Sequence, residues 1–207
     1  MTYPTLEARW FLQGQIPAPI AQDFHQGTIV PTLEQREDWY LQLPHNNDLG
    51  IKLRENKVEI KKRTADRGTH QLSDQVSGQI EEWVKWSFTS DVENQLFLEQ
   101  TFNQEWLPVK KSRQQKTFRI LNQKPTEVID PACPIEQGCN LELATLEIQK
   151  QTWFSLGFEA FGERDRLQET FDQVVHHVLK NSQFLTLQAE HSYSYPGWIS
   201  AVLQKQI

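Results

Sequence analysis

Residues 49–63 read LGIKLRENKVEIKKR. Leu49, Ile51 and Leu53 alternate with Gly50, Lys52 and Arg54. Beyond Glu55-Asn56-Lys57, Val58 and Ile60 alternate with Glu59, Lys61 and Arg63. Successive side chains of a β-strand point to opposite faces, so this spacing predicts two strands with one apolar and one charged face. Asn56 can supply the positive φ of the tight turn between them. The charged face gathers Lys52, Arg54, Lys61 and Arg63, relieved mainly by Glu59. Like charges facing each other across a hairpin repel unless water or an anion screens them. A solvated outer face and an anion site are both open from this stretch alone, and basic strands further along favour the second.

The chain has 207 residues, enough to bury a core without staples, and its 38% hydrophobic and 23% charged content is that of a globular protein. No run of about eighteen apolar residues exists, so no transmembrane helix is expected. The start, MTYPTLEARW, lacks the basic and apolar regions of a secretory signal, and a cytoplasmic location is the expectation. Cys133 and Cys139, in PACPIEQGCN, are expected to be free thiols. The formal net charge of -6 argues against nucleic acid as a partner and makes clustered basic strand faces more informative. Seven tryptophans and eleven phenylalanines are expected to build core or line a barrel.

Outward from the hairpin, several other segments alternate. Residues 5–12 place Thr5, Glu7 and Arg9 on one face and Leu6, Trp10 and Leu12 on the other. A short helix follows, with Pro17 and Pro19 at its start and its end near His25. Residues 35–43 alternate Arg36, Asp38 and Tyr40 with Glu37, Trp39 and Leu41. The polar run 64–77 reads as a loop, 80–88 as a strand, and 90–100 as a short helix or loop. Residues 106–113 and 116–121 read as strands, with Val109, Lys111 and Arg113 sharing a face. Residues 123–140 read as a connection. Residues 141–149 and 152–161 read as a hairpin turning near Lys150. Residues 164–179 have i, i+3, i+4 apolar spacing and form the one strongly patterned helix. A loop through Tyr195-Pro196-Gly197 then leads into a short helix holding Trp198, Ile199, Val202 and Leu203. The adjacent His176 and His177 point about 100° apart on a helix and make no shared ligand pair.

These elements predict an α+β chain: an eight-stranded antiparallel β-barrel or tunnel with helices packed on the outside, formed as a single domain over 1–207. Period-two patterning leaves open which face is inward. A charged lumen and an apolar lumen fit equally well.

In order, these segments resemble the CYTH superfamily, the triphosphate tunnel metalloenzymes, which include class IV adenylyl cyclases and thiamine triphosphatases. TLEAR (5–9) stands where that family carries Glu-x-Glu-x-Lys, with Thr5, Glu7 and Arg9 at the three positions. Lys52 and Arg54 match its first basic strand, Lys61 the next, and Lys111 with Arg113 a later one. LGFEAFGE keeps one acid, Glu159, of a late Glu-x-Glu, with Gly157 or Phe161 at the other position. SYSYPGWI resembles a closing serine–tyrosine segment.

The resemblance implies a tunnel that holds a polyphosphate between Arg9, Lys52, Arg54, Lys61, Lys111 and Arg113. It implies Mg2+ or Mn2+ held by Glu7 and Glu159, and metal-dependent hydrolysis or cyclisation of a triphosphate. Cations would neutralise phosphate oxygens, and hard carboxylates would hold the metal. The basic half is largely kept and the acidic half is reduced, which predicts phosphate binding more firmly than turnover. The expected partner is therefore a phosphate-rich small molecule, with no nucleic acid and no membrane. The alternative is a non-catalytic binding barrel, including a lipocalin-like carrier with Trp10, Trp39, Trp153 and Phe158 lining an apolar cavity. No phosphate-binding glycine loop and no G-x-S-x-G element is present.

Overall fold

The structure, a computed structural model, describes residues 3–26, 31–55, 57–89, 105–129, 134–180, 182, 186–205 and 207. The strands are β1 (Tyr3–Gln13), β2 (Glu34–Leu41), β3 (Leu49–Arg54), β4 (Lys57–Ser73), β5 (Val76–Thr89), β6 (Trp106–Leu121), β7 (Lys124–Glu127), β8 (Gly138–Ile148) and β9 (Gln151–Phe161). The helices are α1 (Ala18–His25), α2 (Leu167–Lys180) and α3 (Tyr195–Leu203). All strand pairs are antiparallel. The sheet order is β2-β3-β4-β5-β1-β9-β8-β6-β7, and a further β2–β6 pairing closes eight strands into a barrel. β7 flanks the far half of β6 outside that ring. Among the described residues, no helix is long and apolar enough to cross a membrane.

Side chains directly opposite one another across an antiparallel pair share a face, so register assigns the two faces. Leu6, Ala8 and Trp10 of β1 face outward with Leu141 and Leu143 of β8 and Leu156, Phe158 and Ala160 of β9. That outer face is covered by Ile20 and Phe24 of α1 and by Leu167, Phe171, Val174, Val175 and Leu179 of α2. Cys139 is a free thiol in this layer, and burial pushes it well up. Cys133 lies outside the described residues.

The inner face divides along its length. Phe11 (β1), Trp153 (β9), Ala144 and Leu146 (β8), Val109 (β6) and Tyr40 (β2) form a second core at one end. α3 seats Trp198, Ile199 and Val202 on it. Trp198 stacks on Phe11 at 4.6 Å between ring centroids and meets Trp153 edge-on. Two helices therefore pack outside the barrel, and the third stops one end of its interior. The rest of the inner face is charged.

The local structure differs from the sequence reading at four places. Residues 64–77 continue the β4–β5 hairpin, with register shifts at Arg63/Ala65, Asp66/Gly68 and Gln71/Ser73. Much of this ribbon is exposed, so pairing alone shapes it and no apolar alternation marks it. The two segments expected around 106–121 are one strand, β6. The segment 195–197 is the first turn of α3, where Ser194 Oγ accepts a hydrogen bond from the Gly197 amide. In the β3–β4 turn, Glu55 has the positive φ, and Asn56 lies outside the described residues, as does 90–100.

Trp198 is fully buried, and its indole nitrogen has no hydrogen-bond partner. Trp198→Ala is expected to lower stability by about 3–5 kcal/mol in urea denaturation, as large-to-small changes in a core do. Trp198→Phe, which keeps a stacking ring on Phe11 and loses no hydrogen bond, is expected to cost clearly less.

Candidate functional site

Along β1 the inward residues run Thr5, Glu7, Arg9 and Phe11, which gives the lumen an acidic end, a basic middle and an apolar base at α3. A cavity of about 150 Å³ occupies the charged part. All eight sequence-predicted residues line it: Glu7, Arg9, Lys52, Arg54, Lys61, Lys111, Arg113 and Glu159. They come from five strands, and closure of the barrel is what brings them together.

Two buried carboxylates organise the basic middle. Glu142 of β8 accepts Arg9 at 2.5 Å and Lys111 at 2.8 Å on one oxygen, and Arg113 at 3.1 Å on the other. Burial opposes its ionisation, but Lys111 and Arg9 hold it well below the ordinary carboxylate range. Beyond β6, Asp38 of β2, 1% exposed, takes Arg54 through a two-point contact of 2.9 and 3.2 Å and Lys52 at 3.3 Å. Burial again opposes ionisation, and Lys52 and Arg54 bring Asp38 down to about 2. Glu59 lies across from Lys52 in the hairpin register, 3.0 Å from its ammonium. The register thus sets a glutamate, not another cation, against Lys52, and Gly50 against Lys61.

The aromatic wall completes this region. Lys111 donates to the Tyr195 hydroxyl at 2.8 Å, and the Arg9 guanidinium lies 5.1 Å from the centre of the same ring. Tyr195 in turn stacks on Tyr40. Burial depresses both Lys52 and Lys111 to about 8; Asp38 and Glu142, respectively, pull each back up, and neighbouring cations push each further down. Both lysines are therefore partly held in their charged form by carboxylates and open to stabilisation by a further anion.

At the acidic end, Glu7 and Glu159 are cross-strand partners on β1 and β9. Lys61 of β4 contacts Glu7 and lies 3.4 Å from Glu159. Thr5 donates its hydroxyl to the same Glu7 oxygen. Gly157 is cross-strand from Arg9 on one side and Glu142 on the other. Arg9 therefore crosses β9 over Gly157 to reach Glu142. A Cβ at 157 would fall 2.7 Å from the Arg9 guanidinium carbon.

These residues fit a divalent cation poorly. Mg2+ and Mn2+ want a cage of several oxygens. Here the two carboxylates already share an ammonium, and one of them accepts the Thr5 hydroxyl. Among the described residues, no three His, Cys, Asp or Glu side chains converge as a ligand set.

Sequence reasoning missed Glu142, Asp38, Arg36, Lys85 and Tyr195 as lumen residues. Asp38 had a signal: it shares a face with Arg36 and Tyr40 in REDWY. Glu142 also had one, as a lone acid at alternating positions within the otherwise apolar LELAT. One partner of Asp38, Arg36, lies 3.4 Å away within the same segment, but the other cations of the two acids lie 14 to 133 residues away.

Gly157→Ala is expected to lower stability by about 1–3 kcal/mol in urea denaturation, because the added methyl displaces a buried guanidinium from Glu142. In an Arg9→Ala background the same change is expected to cost much less, and that coupling ties the glycine to Arg9.

No family model matches the chain, and no curated protein matches it. Among solved structures it is similar to the PH1819 protein of Pyrococcus horikoshii OT3, with a TM-score of 0.50 and 14% identity over 97% of this chain and 99% of that one. At that identity the likeness is one of fold: both chains share the barrel architecture.

Proposed function

We propose that the lumen binds a small phosphate-rich anion, a polyphosphate or a phosphorylated small molecule. The observation that carries this reading is the charge surplus. Eight cationic and four acidic side chains line the cavity. Asp38 and Glu34 pair with those cations from the wall and rim, and among the described residues a surplus of two positive charges remains. Unmatched charge in an enclosed lumen is costly, and a multivalent anion offsets that cost. Arg54 and Arg113, each with fork geometry, and Lys52 and Lys111, each a compact charge, suit phosphate oxygens. Hydrolysis of a triphosphate, implied by the family resemblance, is the catalytic extension of the same reading. For that step the cations would stabilise charge on the leaving oxygens.

The apolar-carrier reading has less support. Trp10 and Phe158 belong to the outer core beneath the helices. Trp153 faces inward but is covered by Trp198. The basic residues line the cavity rather than the surface.

Tripolyphosphate is the probe that tests this reading. It is expected to raise Tm at neutral pH, and Arg54→Ala is expected to weaken binding tenfold or more, about 1.4 kcal/mol or above. The same variant should make binding less sensitive to salt. Lys52 and Lys111 lose their charge as pH rises through about 8, so anion binding is expected to weaken above that pH. Sulfate, whose own charge is constant over this range, isolates the protein's contribution. Orthophosphate release from tripolyphosphate separates turnover from binding. A protein with unchanged Tm and no release would sink the proposal.

A further inference from the structure

The acidic end of the tunnel has the outline of a metal site and the contents of an ion pair. Glu7 and Glu159 face each other across β1 and β9, with side chains 13% and 31% exposed. Two carboxylates so placed repel unless a cation sits between them. Lys61 reaches in from β4 and contacts both. Gly50, its cross-strand partner on β3, presents no side chain that would crowd it.

The neighbouring positions point the same way. Thr5 donates its hydroxyl to the Glu7 oxygen that Lys61 approaches. Gly157 leaves room for the Arg9 guanidinium, whose charge acts on Glu7 and Glu159 from the other side. Two acids thus face two cations, and an incoming divalent ion would meet a locally neutral cluster. It would have to expel Lys61 before it could reach the carboxylate oxygens of the pair.

We propose that Lys61 is the resident cation of the Glu7–Glu159 pair and that the tunnel takes its phosphate anion without a divalent metal. The second half of this inference rests on the phosphate-binding reading. Electrostatics agree with the geometry. Burial would depress the Lys61 ammonium, yet Glu7 and Glu159 hold it above its ordinary value. Burial would raise Glu159, yet Lys61 and Arg9 hold it down. An ammonium, unlike Mg2+, has no vacant orbital to bind a water oxygen and generates no hydroxide, so this end orients and neutralises but does not activate water.

Two measurements on the full chain test the inference. The first is titration of Mn2+ alone, followed by the electron paramagnetic resonance signal of the free ion. The wild-type protein is expected to leave that signal undiminished. Lys61→Met, which keeps the length of the side chain and removes its charge, is expected to bind one Mn2+ per chain, and a further Glu159→Gln change is expected to abolish that binding. Lys61→Gln serves if the methionine variant does not fold. Wild-type binding of Mn2+ that is lost in Glu7→Gln would overturn the assignment. So would a folded Lys61 variant that takes no Mn2+.

The second measurement is the Tm shift produced by tripolyphosphate in EDTA and in Mg2+. Stabilisation that persists in EDTA supports the inference. Stabilisation that appears only with Mg2+ overturns it and leaves the phosphate reading standing. No stabilisation under either condition overturns the phosphate reading itself, and the Mn2+ titration then still decides the role of Lys61.

Discussion

Inside the barrel the Glu142 carboxylate draws Arg9 from β1 and both Lys111 and Arg113 from β6 onto one point on β8. The rest of the structure depends on this contact and on its counterpart at Asp38. Cations cannot be turned into an enclosed lumen unless carboxylates meet them, and a buried carboxylate cannot stay ionised unless cations meet it. Glu142 gathers cations from β1 and β6, which flank the β9–β8 pair in the sheet, and Asp38 meets Lys52 and Arg54 on the neighbouring β3. Removing Glu142 would leave Arg9 and Lys111 without a salt-bridge partner among the described residues, whereas Lys52 and Arg54 would keep Glu59 if Asp38 were lost. Glu142 is the vulnerable partner.

The surplus of positive charge follows from that architecture. Each acid gathers more than one cation, so the arrangement holds together and still carries net charge. Burial depresses Lys52 and Lys111, and the neighbouring cations add to that cost. An anion entering the cavity would relieve it. The apolar base formed with α3 keeps such an anion in the middle of the lumen, within reach of Arg54 and Arg113, because Phe11, Trp153 and Trp198 fill the space beyond.

The acidic end shows how small substitutions change what a site can do. Thr5 and Gly157 adjoin the Glu7–Glu159 pair on the same strands. One ties up an oxygen of Glu7, and the other makes way for Arg9. Glycine matters at 157 for space rather than for backbone freedom. The longer arginine at position 9 reaches Glu142 only because nothing projects from the strand in between.

The sequence by itself determined the alternation, and with it the positions of most strands, the amphipathic helix at 167–180 and the grouping of Arg9, Lys52, Arg54, Lys61, Lys111 and Arg113 on strand faces. Local periodicity suffices for this, because it depends only on neighbouring residues. The tertiary structure alone decided which face is inward, since a two-residue period defines two faces and ranks neither. Burial under α1 and α2 chose the outer face, and α3 closed one end of the inner one. The ribbon over 64–77 was invisible because pairing with the adjacent strand, not burial of an apolar face, makes it a strand. Tertiary structure likewise decided that Glu142 and Asp38 anchor the lumen and that Lys61 lies between Glu7 and Glu159. Those contacts join residues from 14 to 133 positions apart, and the order in which the strands pair in the sheet brings them together.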